Sequence, residues 1–537
     1  MTRPALLPLL LAALAGAARA DPGPVACPPG ERLLVHGLGT PEQDLLRLAE
    51  LTGAVAPEPG VIRQSGPRVR TLCAGAAPLG WLARLPRAPE GDAWVARAPV
   101  RLTTAWNSTF PSGGNDGLLW AGRGVSTLLS VGATARWGPL TASLSPEVAW
   151  SQNAWFRTVP TGATGDRAFV NPWYGTGLDL PQRPGAGPHA AASLGQSQLR
   201  LEGLGLAAGA STGNLWLGPG LRSALLLTDN APGFPHLFLG TRAPVDVWIG
   251  RLELLALWGR LSRSRGFPEG GHPWFSALAL DFEPRWVPGL HLGLGRAFVE
   301  SAASLRRHAF LSILEPPLKG WTAGGDNPED NQVASLWFRW VLPEAGLELY
   351  GEWGRDDFPI SFEGLVREPE RTQGWVAGLQ KAFRAGVRTV RLSVEATRLH
   401  EARPLGARAG LPTWYVHPAN LGWSHQGQLL GAAVGPGGDA QLLAVDVLSG
   451  SGRLGGFLER TRRNEEVYWS VIEPLGQGHD HDAELAVGVR HLLFAGPVEV
   501  SWQLSAAYRW ERDFLRNQPN LMGLVQVTAP GAALGPW

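Results

Sequence analysis

The sequence predicts an all-β transmembrane β-barrel of about 16–18 antiparallel strands, preceded by a small N-terminal α-helical region on the periplasmic side. Three observations carry this expectation. From about residue 97 the apolar residues recur with a period of two, in runs close to the roughly 9–11 residues that a tilted strand needs to cross a bilayer. After the N-terminal leader no run of about 18 apolar residues occurs, so no helical span is expected. The 24 tryptophans and 70 glycines suit tight turns and interfacial rings better than a bundle of helices.

The chain opens MTRPALLPLLLAALAGAARA. Arg3 supplies a basic start, Ala5 to Ala17 an apolar segment, and Ala18-Arg19-Ala20 a cleavage pattern, so residues 1–20 read as a signal peptide and the mature chain as starting at Asp21. Residues 21–92 read as a periplasmic helical region. In TPEQDLLRLAELTG, Thr40 caps, Pro41 takes the first helical position, Gln43 completes a capping box, and Gly53 ends the helix. A second helical piece is expected over 80–85. Cys27 and Cys73 are an even pair in an exported chain, and they read as one disulfide pinning this region, with two free thiols as the alternative.

The strands follow, over 93–537. In PVEVSWQLSAAYRWE, Val498, Val500, Trp502, Leu504, Ala506, Tyr508 and Trp510 share one face, while Glu499, Ser501, Gln503, Ser505 and Arg509 lie on the other. In VRTVRLSVEATRL, Val390, Leu392, Val394 and Ala396 alternate with Thr389, Arg391, Ser393, Glu395 and Thr397. Fifteen further runs of this kind start between Val100 and Leu521. A soluble sandwich alternates too, but repeated charges on one face and aromatic ends on the other fit a polar lumen and a lipid-facing wall. The wall must close, because an open sheet edge in hydrocarbon leaves amides unpaired at several kcal/mol each. The final aromatic, Trp537, agrees with a signal for the barrel-assembly machinery. Two connections, 151–195 and 212–242, are long and rich in proline, glycine and aromatics, which argues for fixed and functional loops.

The 47 basic and 46 acidic residues nearly cancel, which leaves no electrostatic case for nucleic acid. Only Lys319 and Lys381 are lysines. No nucleophile elbow, zincin helix or phosphate loop is present. His479-Asp480-His481-Asp482 has metal-binding residue types, but nothing nearby completes a site, and it reads as a solvated loop; no metal and no cofactor are expected. Arg460, Arg462, Arg463, Glu465 and Glu466 read as a charged turn that is solvated or faces lipid headgroups.

Several blocks in fixed order, WNSTFPSGGNDGLLWAGRG (106–124), SLSPEVAWSQN (143–153), LDLPQRPG (178–185), GQSQLRL (195–201) and NLWLGPG…NAPGFPH (214–236), resemble the capsule-assembly proteins of the Wzi family. The C-terminal third matches only as generic strands, and the two cysteines are a departure. The resemblance implies a non-enzymatic outer-membrane barrel that organises capsular or other surface polysaccharide, with outer-membrane lipid around it. It also implies that Trp216, Arg222, Asp229, Asn230 and His236, with Asp179 and Arg183 from the other loop, bind the glycan. An aromatic ring covers a sugar's C–H face, and guanidinium forks pair with uronate or phosphate. For each of these residues the competing reading is that its polar groups hold the loop together. The other functional readings are a solute-conducting porin, with Arg391, Glu395, Glu499 and Arg509 setting selectivity, and an outer-membrane hydrolase built on His236 and Asp229.

Overall fold

The computed structural model describes residues 29–35, 38–66, 68–73, 81, 86–267, 271–301, 330–356, 366, 372–400, 414–476 and 478–536. Alternation produces strands, and the strands close on themselves. Among the described residues the wall has eighteen antiparallel strands: 93–107, 124–137, 140–151, 189–203, Leu206–Ser211, 236–247, Gly250–Arg260, Trp274–Pro284, Leu290–Glu300, Asp330–Leu342, Leu347–Asp356, Gln373–Ala385, Arg388–Arg398, Asp439–Ser449, Gly452–Arg463, Asp482–Ala495, Val498–Arg512 and 516–536. Those given by numbers alone are interrupted by a residue or more outside the ladder. The last strand pairs with the first, Val525 opposite Thr104, which removes both edges.

Burial along the strands is inverted relative to a soluble protein. In Val498–Arg512, Leu504 is 52% exposed and Trp502, Tyr508 and Trp510 are similarly open, whereas Ser505 and Arg509 are buried. In Arg388–Arg398 the row Thr389, Arg391, Ser393, Glu395 and Thr397 is buried throughout. The greasy row therefore faces out and the polar row in. Exposed aromatics form two belts: Trp137, Trp248 and Trp286 at one end, and Trp106, Trp150, Tyr508 and Trp510 at the other. Such belts mark the two interfaces of a bilayer.

The ends differ. At the first, two-residue turns join strands at 138–139, 204–205, 248–249, 386–387, 450–451 and 496–497. At the second the connections are long, apart from the three-residue turn 513–515. The loops predicted at 151–195 and 212–242 are shorter than expected, because His189–Ser193 and His236–Thr241 are barrel strands; their proline- and glycine-rich surroundings masked an alternation of only five or six residues.

The helix Pro41–Leu51 forms as its punctuation dictates: Thr40 Oγ1 accepts from the Gln43 N–H at 3.3 Å, and Gly53 takes a left-handed φ of 72°. Its apolar face, Leu45, Leu48 and Ala49, packs with Leu448, Leu492 and Phe494 of the wall at the short-turn end. The region around it is not mainly helical, which corrects the expectation for 21–92. Among the described residues it holds this one helix, the antiparallel pair Pro29–Val35 and Arg68–Cys73, and the strand Ile62–Gln64. Alternation in ERLLV and RVRTL favours strands there. The helical piece expected at 80–85 lies outside the described residues except Trp81, which is buried in the same cluster. Cys73 is disulfide-bonded, and Cys27 lies outside the described residues, as does Trp537. Mass spectrometry of the non-reduced protein is expected to return Cys27 and Cys73 as one cross-linked pair; alkylation of both thiols without reduction would contradict it.

Candidate functional site

The long connections turn inward. Leu225, Leu226 and Leu227 are almost completely buried, in one apolar cluster with Trp414, Tyr415 and Trp423 from 399–438, Tyr174 and Leu178 from 152–188, and wall residues Phe275, Val299 and Val376. A buried loop must satisfy its own backbone, and this one does. Tyr415 Oη donates to the Leu225 carbonyl at 2.8 Å, Trp423 Nε1 to the Leu226 carbonyl at 2.8 Å, and the Thr228 N–H to the Leu430 carbonyl at 2.8 Å. Leu215–Leu217 pairs antiparallel with Ile62–Gln64, so the N-terminal region and the 212–235 loop share a small sheet inside the barrel.

Wall charges hold these inserts. Glu395 accepts from the Leu221 N–H at 2.6 Å and the Arg222 N–H at 3.0 Å. Arg391 pairs with Asp44 of the helix at 2.7 Å and with Asp446 at 2.9 Å. Arg509 is taken by Asp482 and Asp513. Of the charges that would set a porin's selectivity, Glu395 and Arg391 therefore hold inserts, whereas Arg509 is paired within the wall and its adjoining turn.

Between the start of the helix and the loops 108–123 and 212–235 lies a cavity of about 370 Å3, a size usual for small-molecule sites. Trp216, Arg222 and Asp229 line it together with Asn115, Asp116, Arg63, Arg101, Glu147 and Gln196. The Arg63 guanidinium covers one face of the Trp216 ring at 4.4 Å, and donates to the Gly218 and Gly220 carbonyls. Burial, with the charges of Arg47 and Arg339 adding to it, brings Arg63 down to about 9. Burial pushes the Asp116 carboxyl up to about 7, helped by the charge of Asp229, and pushes Asp229 up to about 6 against the pull of Arg63. Trp216 Nε1, Asp229 Oδ1 and Asn115 Oδ1 are buried without a hydrogen-bond partner among the described residues. Three such atoms around one cavity are what a hydroxyl-rich ligand can satisfy.

The predicted residues separate into two groups. Arg222 reaches Glu459 at 3.1 Å and stays half-exposed beside Trp216 and Asp229. Asn230 stitches loops: it accepts from the Asn115 N–H at 3.2 Å and donates to the Leu429 carbonyl at 3.1 Å. His236 sits in the wall, its Nδ1 2.8 Å from the Phe234 carbonyl and its ring between Phe234 and Phe238, so it does not meet Asp229 in the cavity. Asp179 accepts from the Ser264 N–H at 2.6 Å and its hydroxyl at 2.5 Å. Arg183 donates to the Asn153 and Ala186 carbonyls and covers Phe156 and Phe169. These last two fix the 152–188 loop. The reading of the residues had not singled out Asn115 and Asp116, although Asn-Asp-Gly in a glycine-rich loop was a visible signal; Arg63 carried none.

His479 and His481 pair with different carboxylates, Glu511 and Glu465, each at 2.7 Å, and no metal-binding group of three is found among the described residues. Arg460 and Arg462 belong to a strand, not a turn, and both reach Asp439.

The Escherichia coli outer-membrane protein Wzi, described as a carbohydrate-binding β-barrel involved in group 1 capsule assembly, shares the fold at TM-score 0.58 and 14% identity, over 92% of this chain and 98% of that one. A BenF-like porin from Pseudomonas fluorescens Pf-5 reaches only 0.39 at 9% identity, over 83% and 100%, and OpdQ of Pseudomonas aeruginosa 0.41 at 10%, over 82% and 98%. A search of the curated proteins returns no match. The family model for the capsule assembly protein Wzi matches residues 115–520, most of the barrel with the loops 152–188, 212–235 and 399–438, and the chain belongs to that family.

Proposed function

We propose that this chain is an outer-membrane barrel that binds an exported capsular or other surface polysaccharide and holds it at the cell surface, without catalysing a reaction. Residues 1–20 direct export and are removed, the barrel-assembly machinery inserts the chain, and outer-membrane lipid surrounds the apolar wall. Membership of the family supports the process, and the inverted burial of the strands supports the location. The observation that carries the binding role is the luminal cavity, where Trp216, Asp229 and Asn115 present buried polar atoms with no hydrogen-bond partner among the described residues, beside the half-exposed Arg222. The Trp216 indole N–H, with the amide, carboxyl and guanidinium groups beside it, suits the hydroxyls and acid groups of a sugar. His236 and Asp229 lie apart, which weighs against a hydrolase. The loop segments that fill the lumen weigh against a porin.

Deleting the gene is expected to release polysaccharide into the medium while synthesis continues. In the purified protein, Asp229→Ala with Asn115→Ala is expected to weaken glycan binding by about tenfold or more, since each lost hydrogen bond contributes roughly 0.5–1.5 kcal/mol. Unchanged attachment in the deletion strain would refute the function, and unchanged binding in the variant would refute this site.

A further inference from the structure

A second cavity, of about 390 Å3, lies at the short-turn end between the N-terminal region and the inner face of the wall. The chain as a whole is nearly neutral, yet nine arginines and five carboxylates line this space. Arg47, Arg70 and Arg339 are matched by Glu348, Glu50 and Glu58. The excess is concentrated elsewhere, where three guanidiniums share one carboxylate. Arg200 Nε lies 2.9 Å from Glu202, Arg136 Nη2 3.3 Å and Arg242 Nε 3.5 Å.

These groups come from three parts of the chain. Arg136 lies on Ala133–Trp137, Arg200 and Glu202 on Gln198–Gly203, and Arg242 just after His236–Thr241. On the same strands Trp137, Leu199 and Leu201 are exposed outward. Pleating therefore aims Arg136, Arg200 and Glu202 into the barrel, with the wall between them and the lipid, while Arg242 reaches Glu202 from the rim just past its strand. That placement disfavours a lipid headgroup as occupant. Arg68, 3.9 Å from Glu253 and bonded to the Ile62 carbonyl at 3.2 Å, adds a further guanidinium in the same cavity. Gln43, Arg47 and Arg63 line both this cavity and the one beside Trp216, so the two adjoin.

We infer that the Arg136–Arg200–Arg242 cluster is a second glycan site, which takes the carboxylates of an acidic, uronate-bearing oligosaccharide on the side where an exported chain first meets the barrel. Guanidinium forks bind carboxylates in two-point fashion; Arg200 is held by Glu202, Gln64 and the Arg242 carbonyl, and Glu202 cannot also occupy the forks of Arg136 and Arg242. The inference rests on the proposed polysaccharide-binding role and names the charge class of its ligand.

The test is calorimetry on the full chain in detergent, with oligogalacturonate as probe, neutral malto-oligosaccharide as control and inorganic phosphate as competitor. Arg136→Gln with Arg242→Gln leaves Arg200 and Glu202 as a balanced pair, and is expected to weaken oligogalacturonate binding about tenfold or more. Glu202→Gln frees all three guanidiniums and is expected to tighten it several-fold, which keeps the test open should the double variant fail to fold. Binding by the parent protein should weaken as salt rises. The inference is overturned if the parent binds acidic and neutral probes alike, or if the double variant binds oligogalacturonate as the parent does. Competition by phosphate at equal concentration would also overturn it, by reducing the cluster to a simple anion site. Loss of surface attachment in the deletion strain, alongside unaltered binding by the double variant, would sink this site and leave the proposed function standing.

Discussion

Replacing Arg339 by methionine is expected to release the N-terminal region from the barrel while leaving the barrel closed. Arg339 is fully buried; it donates to Glu348 at 2.8 Å, to Glu50 of the helix at 2.7 Å and to the Glu58 carbonyl at 2.8 Å. Arg47 bonds the same Glu348 at 2.6 Å and the Pro219 carbonyl of the 212–235 loop at 2.7 Å. One network thus ties helix, wall and plug. Removing its central cation leaves Glu348 to Arg47 and Glu50 to Arg70 and breaks three charge-assisted hydrogen bonds, each worth about 1.5–3 kcal/mol. The ladder of the wall does not depend on it. Limited proteolysis should then cut between the helix and residue 93 in the variant and not in the parent, and equal resistance in both would refute the tether. Acid should act in the same direction. Burial would raise Glu50, but Arg339 and Arg70 beside it hold its carboxyl below the ordinary value of 4.5. The stabilisation this gives is complete above about that pH and is lost as the pH falls through the lowered folded-state value.

Trp423→Ala is expected to turn a silent barrel into a conducting one. The indole is fully buried, donates to the Leu226 carbonyl, stacks on Tyr415 at 6.4 Å and meets Phe275 edge-on at 5.4 Å. Its loss removes the largest ring joining the 399–438 and 212–235 segments, at about 3–5 kcal/mol. The plug has no ladder comparable to the wall's, so it should loosen first. In planar bilayers the parent should show no large steps and the variant should show them. Large steps from the parent would contradict a filled lumen, and a silent variant would contradict the role of Trp423 in closing it.

Much of the fold was legible in the residues. Alternation in 388–398 and 498–512 located strands and said which row faces lipid, and Thr40, Pro41 and Gly53 bounded the helix. Short strands failed where punctuation surrounded them: His189–Ser193 and His236–Thr241 were absorbed into loops. Of the candidate residues, Trp216, Arg222 and Asp229 do share a cavity. Asp179 and Arg183 carry equally sugar-compatible groups, but spend them on Ser264, Asn153 and Ala186. Residue type could not separate the two groups, because what differs is whether a partner from elsewhere in the chain is already in place.

By itself, the sequence determined the architecture of the wall, since strand pleat and lipid exposure are local properties that recur every second residue. It also determined where the helix begins and ends, since capping acts within a few positions. Only the tertiary structure decided that the long loops fold back to fill the barrel, that lumen charges serve as anchors, and that Arg136, Arg200 and Arg242 converge on Glu202. Apart from Arg200 and Glu202, which share a strand, those relations join residues tens to hundreds of positions apart. The closure of the barrel, and not any spacing within a strand, is what brings them within bonding distance.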